Sequence, residues 1–194
     1  MIIGNDIIDL SYWLPLNKAS NPRYIDKICT QEEQAALALA EDANLLLLRL
    51  WSMKEAAYKI AVKLGAERAF IPKRLESVIV SAKKGQVKSV WGEFLTLTET
   101  TPNFLHTIAS NESLDIDRIC SQVFSLESSL PEIQSKVVKT ALLDKIAAHL
   151  ELHTTDLNIE MIDNIPRLFV EGQLSGIDLT MSHNGGWGAF CVYT

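Results

Sequence analysis

Between Asn44 and Leu64, the apolar residues Leu46, Leu50, Met53, Ala57, Ile60 and Leu64 recur at intervals of three and four, the mark of a long helix with one buried face. Such a face must be covered, and Gly65 ends the run. A second helix is predicted from Pro131, suited to a first turn, to about Leu150, with Val137, Val138, Ala141, Leu142, Ile146 and Leu150 on one side. The two helices share a hexapeptide, K-I-A-V-K-L at 59–64 and K-I-A-A-H-L at 145–150, and each is followed by strands, which hints at a duplication.

Everything around these helices reads as antiparallel sheet. Ile2, Ile3, Ile7 and Ile8 flank Gly4-Asn5-Asp6, so the chain opens as a strand with a break or bulge at the glycine. The stretch from Pro22 to Glu41 is helical, with Thr30 an N-cap and Glu33 placed for a capping box. Strand-like segments follow at 76–82, 86–96 and 104–110, then at 118–124. The chain closes with strands near 157–162, 167–171, 177–183 and 187–193, the last two joined by a tight hairpin at Asn184-Gly185-Gly186. The expected fold is therefore α+β: two pseudosymmetric halves, 1–105 and 106–194, each a long helix packed on an antiparallel sheet, with a cleft between them.

Composition narrows the class. At 194 residues and 47% hydrophobic content the chain buries a substantial core. Lys+Arg 18 against Asp+Glu 24 leaves a net charge of -6, which argues against nucleic acid as a partner, so an anionic ligand must meet a local basic patch. Three widely spaced cysteines without C-x-x-C spacing fit neither a disulfide framework nor structural zinc, and suit a reducing cytoplasm. No signal-peptide pattern or membrane-length apolar run is present, so no membrane association is expected.

Three distant segments carry chemistry: Gly4-Asn5-Asp6 with Asp9, the helix W-S-M-K-E-A-A-Y-K from Trp51 to Lys59, and Met181-Ser182-His183 before the glycine turn. An acid within an Ile-rich strand needs partners, and Asp6 with Glu55 offers two carboxylates for a hard cation such as magnesium. Glu55 fits equally an i,i+4 pair with Lys59. Asp9 suits a metal ligand, a support for one, or the cap of the next turn. Lys54 and Lys59 would stabilise phosphate charge or form a solvated helix face. His183 sits at a strand end, where it serves a site or is an ordinary surface or core residue. Ser182 is placed to donate to a phosphate, and Gly185 and Gly186 would let one approach the backbone.

Together these segments resemble the 4′-phosphopantetheinyl transferase superfamily, whose members carry a G-x-D strand, a W/F-x-x-K-E-[AS]-x-x-K helix and an S-x-S-H-like strand; here these are G-N-D, W-S-M-K-E-A-A-Y-K and T-M-S-H. The first 80 residues resemble holo-acyl-carrier-protein synthases, and the segment from about Val137 to Phe190 resembles the amino-terminal half of the larger surfactin-synthetase-activating type. The resemblance implies transfer of phosphopantetheine from coenzyme A to a serine of an acyl or peptidyl carrier protein, with release of 3′,5′-ADP. It implies magnesium held by Asp6 and Glu55, with Asp9 a third candidate. Glu55 or a metal-bound water would take the serine proton, Lys54 and Lys59 would lie near the phosphates, and Ser182 and His183 would hold coenzyme A. Arg23 lies in the segment that meets the carrier in the smaller synthases. With both half-types in one chain, a monomer that is itself a pseudodimer is expected.

Two departures stand out. Asn164-Ile165-Pro166 replaces the G-K-P of larger members, with Arg167 the candidate substitute for that lysine. Asp6 is followed by Ile8 and Asp9, not by the D-x-E of the larger type. A binding-only homologue of coenzyme A or carrier protein, or an α+β interaction protein, are the alternatives.

Overall fold

A computed structural model of the chain describes residues 1–113 and 118–193. Strand β1 spans Ile3–Asp9 and leads through a short helix α1 (Leu10–Trp13) to α2 (Pro22–Ile28) and α3 (Gln31–Leu39). Thr30 and Glu33 form the expected capping box at the start of α3. The long helix α4 runs Ala43–Lys63; Asp42 accepts from the Leu45 amide at 2.9 Å at its start, and Gly65, at φ 97°, turns the chain away at its end.

Strands β2 (Glu76–Ile79), β3 (Lys84–Ser89), β4 (Gly92–Thr100) and β5 (Phe104–Ser110) complete an antiparallel sheet of order β1-β5-β4-β3-β2. The expected single strand over 86–96 is a hairpin instead. Its turn lies at Val90-Trp91, where the Ser89 hydroxyl accepts from the Trp91 amide and donates to the Gly92 carbonyl, and Gly92 takes φ 128°. β1 is also unbroken, pairing from Ile3 with Ser110 to Asp9 with Phe104. Gly4 marks close approach, not a bulge: a Cβ there would run into the Ala56 carbonyl of α4.

The second half holds β6 (Ile119–Ser125), α5 (Pro131–Leu150), β7 (Leu157–Ile162), β8 (Ile165–Val170), β9 (Gln173–Leu174), β10 (Asp178–Asn184) and β11 (Trp187–Tyr193). These strands make two three-stranded sheets, β10-β11-β6 and β7-β8-β9, in place of a single one. The expected division at 105/106 falls inside β5, and the change of sheet comes between Ser110 and Ile119. Each half has its own core: Met53, Ala57, Ile60, Val87 and Phe94 in the first, Val138, Leu142, Ile146, Leu168 and Phe190 in the second. Apart from Ala57, each of these side chains stabilises by roughly 1.5–3 kcal/mol when fully buried. Among the described residues no helix is long and apolar enough to cross a membrane.

The halves meet where the edge strands β1 and β10 run side by side. They are joined by side chains instead of a hydrogen-bond ladder. Asp178, Thr180 and Asn184 of β10 accept from the amides of Ile3 (2.7 Å), Asn5 (3.3 Å) and Asp9 (3.0 Å), partners that rise in step and so set the strands parallel. Two lysines of α4 complete the seam: Lys63 donates to the Ile3 and Leu179 carbonyls, both at 2.8 Å, and Lys59 to those of Asn5 (2.5 Å) and Met181 (2.9 Å). The amides of Ile3, Asn5 and Asp9 and the carbonyls of Ile3, Asn5, Leu179 and Met181 thus find partners at the seam.

Candidate active site

Alternation along β1 decides which acid faces which partner. Gly4, Asp6 and Ile8 lie on the face toward α4, whereas Asn5 and Asp9 lie on the face toward β10. Asp6 therefore meets the α4 residues Glu55 and Lys59, whose charges act on it directly. Its Oδ2 is sealed from solvent and has no hydrogen-bond partner. Burial pushes the Asp6 carboxyl up to about 6, against the Lys59 charge and the nearby Ser52 hydroxyl. Glu55 is pushed up to about 7, first by burial and then by Asp6, with Lys59 opposing. Burial lowers Lys59, which both carboxylates work to keep charged.

Two carboxylates that act on each other, with one ammonium acting on both, leave an excess of negative charge and an unmatched oxygen. That is the arrangement a hard divalent cation relieves. Among the described residues no group of three or more His, Cys, Asp or Glu converges, so a cation held by Asp6 and Glu55 would need its other oxygens from ligand and water.

Beside this pair lies a cavity of about 400 Å³, walled by α4 and its following segment on one side and by α5, the β7–β8 hairpin and β10 on the other. Lys59, Lys63, Arg68 and His183 line it together with apolar residues such as Tyr58 and Pro166, and no carboxylate does. Glu55 precedes Lys59 by one turn of the same helix, so the carboxylate pair lies beyond Lys59 at the end of the cavity and not in its wall.

Four of the expected residues lie outside the lining of the cavity. Lys54 is 1% exposed and all three of its protons are committed, to Glu33 (2.7 Å), the Ile28 carbonyl (2.9 Å) and the Pro72 carbonyl (3.0 Å). It lies about 140° around the helix from Lys59 and holds the fold together instead of a phosphate. Asp9 caps α1 by accepting from the Ser11 amide and hydroxyl, and its other oxygen takes the Gly186 amide at 2.8 Å. Burial alone would raise Asp9, but these hydrogen bonds outweigh it and hold its carboxyl below the usual range. Ser182 accepts from the Asn5 side chain at 3.0 Å inside the seam and does not line the cavity. Arg167 is likewise absent from the lining, although its charge reaches Lys63.

His183 does reach the cavity, with Nδ1 2.9 Å from Gln134 Oε1. Sequence reasoning missed Gln134 because it read α5 as apolar on its inner side, yet Gln134 is 5% exposed and Val137 is 43% exposed. It also missed Lys63, which pairs with Asp178 at 2.9 Å, and the buried group of Asn5, His106 and Thr180. The repetition of lysine at 59 and 63, one turn apart and continuing from Glu55, was the available signal.

Cationic walls next to a carboxylate pair suit a ligand carrying phosphate. The sequence matches the model of the 4′-phosphopantetheinyl transferase superfamily over residues 2–121, and the chain belongs to that superfamily. Among solved structures it is similar to the crystal structure of a holo-[acyl-carrier-protein] synthase from Neisseria meningitidis, at 18% identity and a TM-score of 0.47, over 58% of this chain and 100% of that one. No curated protein matches the sequence.

Proposed function

We propose that this phosphopantetheinyl transferase moves 4′-phosphopantetheine from coenzyme A to a serine of an apo acyl or peptidyl carrier protein and releases 3′,5′-ADP. The observation that carries the reading is the half-buried pair Asp6 and Glu55, with a sealed and unpartnered Asp6 oxygen, beside a cavity whose charged walls are all cationic. Asp6 and Glu55 would hold magnesium, which supplies charge neutralisation at the diphosphate when bound. The serine oxygen forms a bond to the phosphorus of the pantetheine phosphate as the P–O bond to the adenosine phosphate breaks. The bonding pair leaves with 3′,5′-ADP, and the serine proton passes to the Glu55 carboxylate.

Without a cation the Glu55 carboxyl lies at about 7, and a bound divalent cation would lower it toward the ionised form that accepts a proton. Lys59, anchored to carbonyls of both β1 and β10, keeps one proton free to face the reacting phosphate. Arg68 donates to the Asp163 carbonyl and lines the cavity with Asn164, in the neighbourhood where larger family members present the lysine of G-K-P. It supplies a cation there in place of Arg167. Because both halves contribute walls, one chain builds one site, which supports a monomeric pseudodimer. The three free cysteines suit a reducing cytoplasm.

Incubation with coenzyme A, magnesium and a set of apo carrier proteins, read by intact mass, tests the proposal. One carrier should gain a phosphopantetheine, and Glu55→Gln should lower the rate at least ~1000-fold with the circular dichroism unchanged. An unimpaired Glu55→Gln enzyme would remove Glu55 from the mechanism.

A further inference from the structure

The Gln134 amide is held in one orientation. Its Nε2 donates both hydrogens to main-chain carbonyls, those of Ser128 at 2.7 Å and Gly185 at 2.6 Å, so a flipped amide would set oxygen against two oxygens. Oε1 is thereby fixed as the atom 2.9 Å from His183 Nδ1, and an amide oxygen only accepts. His183 Nδ1 must carry a proton. In the neutral ring Nε2 is then a bare lone pair, and no protein group bonds to it among the described residues.

A phosphate oxygen cannot bond to a lone pair, so the ring engages phosphate only with a proton between the two atoms. The charged groups facing this part of the cavity are Lys59 and Lys63 from α4 and Arg68 from the segment after it. α5 lines it with the neutral Ser135 and Val138 and holds His183 through the neutral Gln134, and neither the β7–β8 hairpin nor β10 adds an acid to the wall. Asp9, behind the turn, is committed to the Gly186 amide and Ser11. With burial acting first and Lys59 second, His183 is held below the ordinary histidine range.

We infer that Gln134 is a positioning residue that locks His183 as the Nδ1–H tautomer, so that binding of a phosphorylated ligand in this cavity is coupled to uptake of a proton at His183 Nε2. The inference rests on the proposed function in taking coenzyme A as that ligand. Its consequence is affinity that declines as pH rises past neutrality, a dependence distinct from the proton step at Glu55.

Long-range ¹H–¹⁵N NMR of the ligand-free protein reads the tautomer directly, with His183 Nδ1 expected protonated and Nε2 not. Calorimetry of magnesium-free coenzyme A binding at about pH 7.5, in buffers of different ionisation enthalpy, should report uptake of about one proton per ligand. Gln134→Met and Gln134→Glu both lose the bonds to Ser128 and Gly185, so a purely structural role predicts the same outcome for the two. The inference predicts different ones: Gln134→Met releases the tautomer toward Nε2–H and weakens coenzyme A about tenfold. Gln134→Glu keeps Nδ1 protonated, favours the imidazolium and reduces the proton uptake. An Nε2–H ring in the free wild type, or coenzyme A bound with Nε2 unprotonated and no uptake, overturns the inference alone. Absence of coenzyme A binding overturns the functional reading, and the coupling with it.

Discussion

The helices α4 and α5 carry the same hexapeptide in two different settings. Its apolar positions behave alike: Ile60 and Ala61 are fully buried, and Ile146 and Ala147 are 2% and 6% exposed. The polar positions do not. Lys59 and Lys63 reach across to carbonyls of both β1 and β10, whereas Lys145 and His149 are exposed to solvent. One turn before the hexapeptide, α4 has Glu55 where α5 has Ala141. The difference lies in what each helix covers. α4 lies over the junction of two edge strands, whose carbonyls need donors, and α5 packs on β10 and β11, which pair with each other. The repeated pattern is a packing pattern, and the chemistry belongs to the side that meets unpaired backbone.

The contrast can be broken most severely at Lys54. In Lys54→Met the Glu33 carboxylate stays buried with only the Thr30 and Ser77 amides, a loss expected at roughly 3–5 kcal/mol in urea unfolding. Adding Glu33→Gln should restore part of it. A single variant as stable as wild type would show that the pair is not a support of the fold.

Next comes Lys59. Lys59→Met should slow phosphopantetheine transfer about 100-fold in a single-turnover carrier assay, as for loss of one preorganised charge donor. Comparable losses for Lys59→Met and Lys145→Met would erase the distinction between the helices.

A smaller effect concerns pH. Asp6 rises from 3.8 to about 6 and Glu55 from 4.5 to about 7 on folding, so the folded chain holds these protons more tightly than the unfolded one. Their stabilisation is complete below about pH 4 and lost once pH passes about 7. In chelator the melting temperature should fall by about 5 °C between about pH 5 and pH 8, relative to an Asp6→Asn/Glu55→Gln control. Magnesium should reverse the fall at the upper pH. A relative rise with pH, or indifference to magnesium, would speak against a paired-carboxylate cation site.

The smallest change is expected for Lys145→Met, within about 0.5 kcal/mol of wild type and fully active.

Much of the scaffold was legible in local patterns. Pro131 began α5, Gly65 ended α4, Thr30 and Glu33 formed their capping box, and Gly185-Gly186 closed the hairpin at φ 56° for Gly185. Asp6, Glu55 and Lys59 were also legible, because a carboxylate in an apolar strand and a charged row on a long helix both demand company. For Asp9 the capping role was one of the readings its motif left open, but the placements of Lys54 and Ser182 were not legible. Each has the right residue type within the right motif, but an angle around a helix or a step along a strand turns it to another face. Gln134 gave no local signal, since its partners, Ser128, Gly185 and His183, lie on both sides of it in the chain.

The order of amino acids by itself determined the elements, their caps and turns, and the residue types from which a phosphate-handling site is made, because these depend on spacing over a few residues. Only the tertiary structure decided which charges share a pocket and which are spent on the scaffold. Burial, the meeting of two sheet edges and the competition of backbone carbonyls for each ammonium arise between segments more than a hundred residues apart, as between Lys59 and Met181.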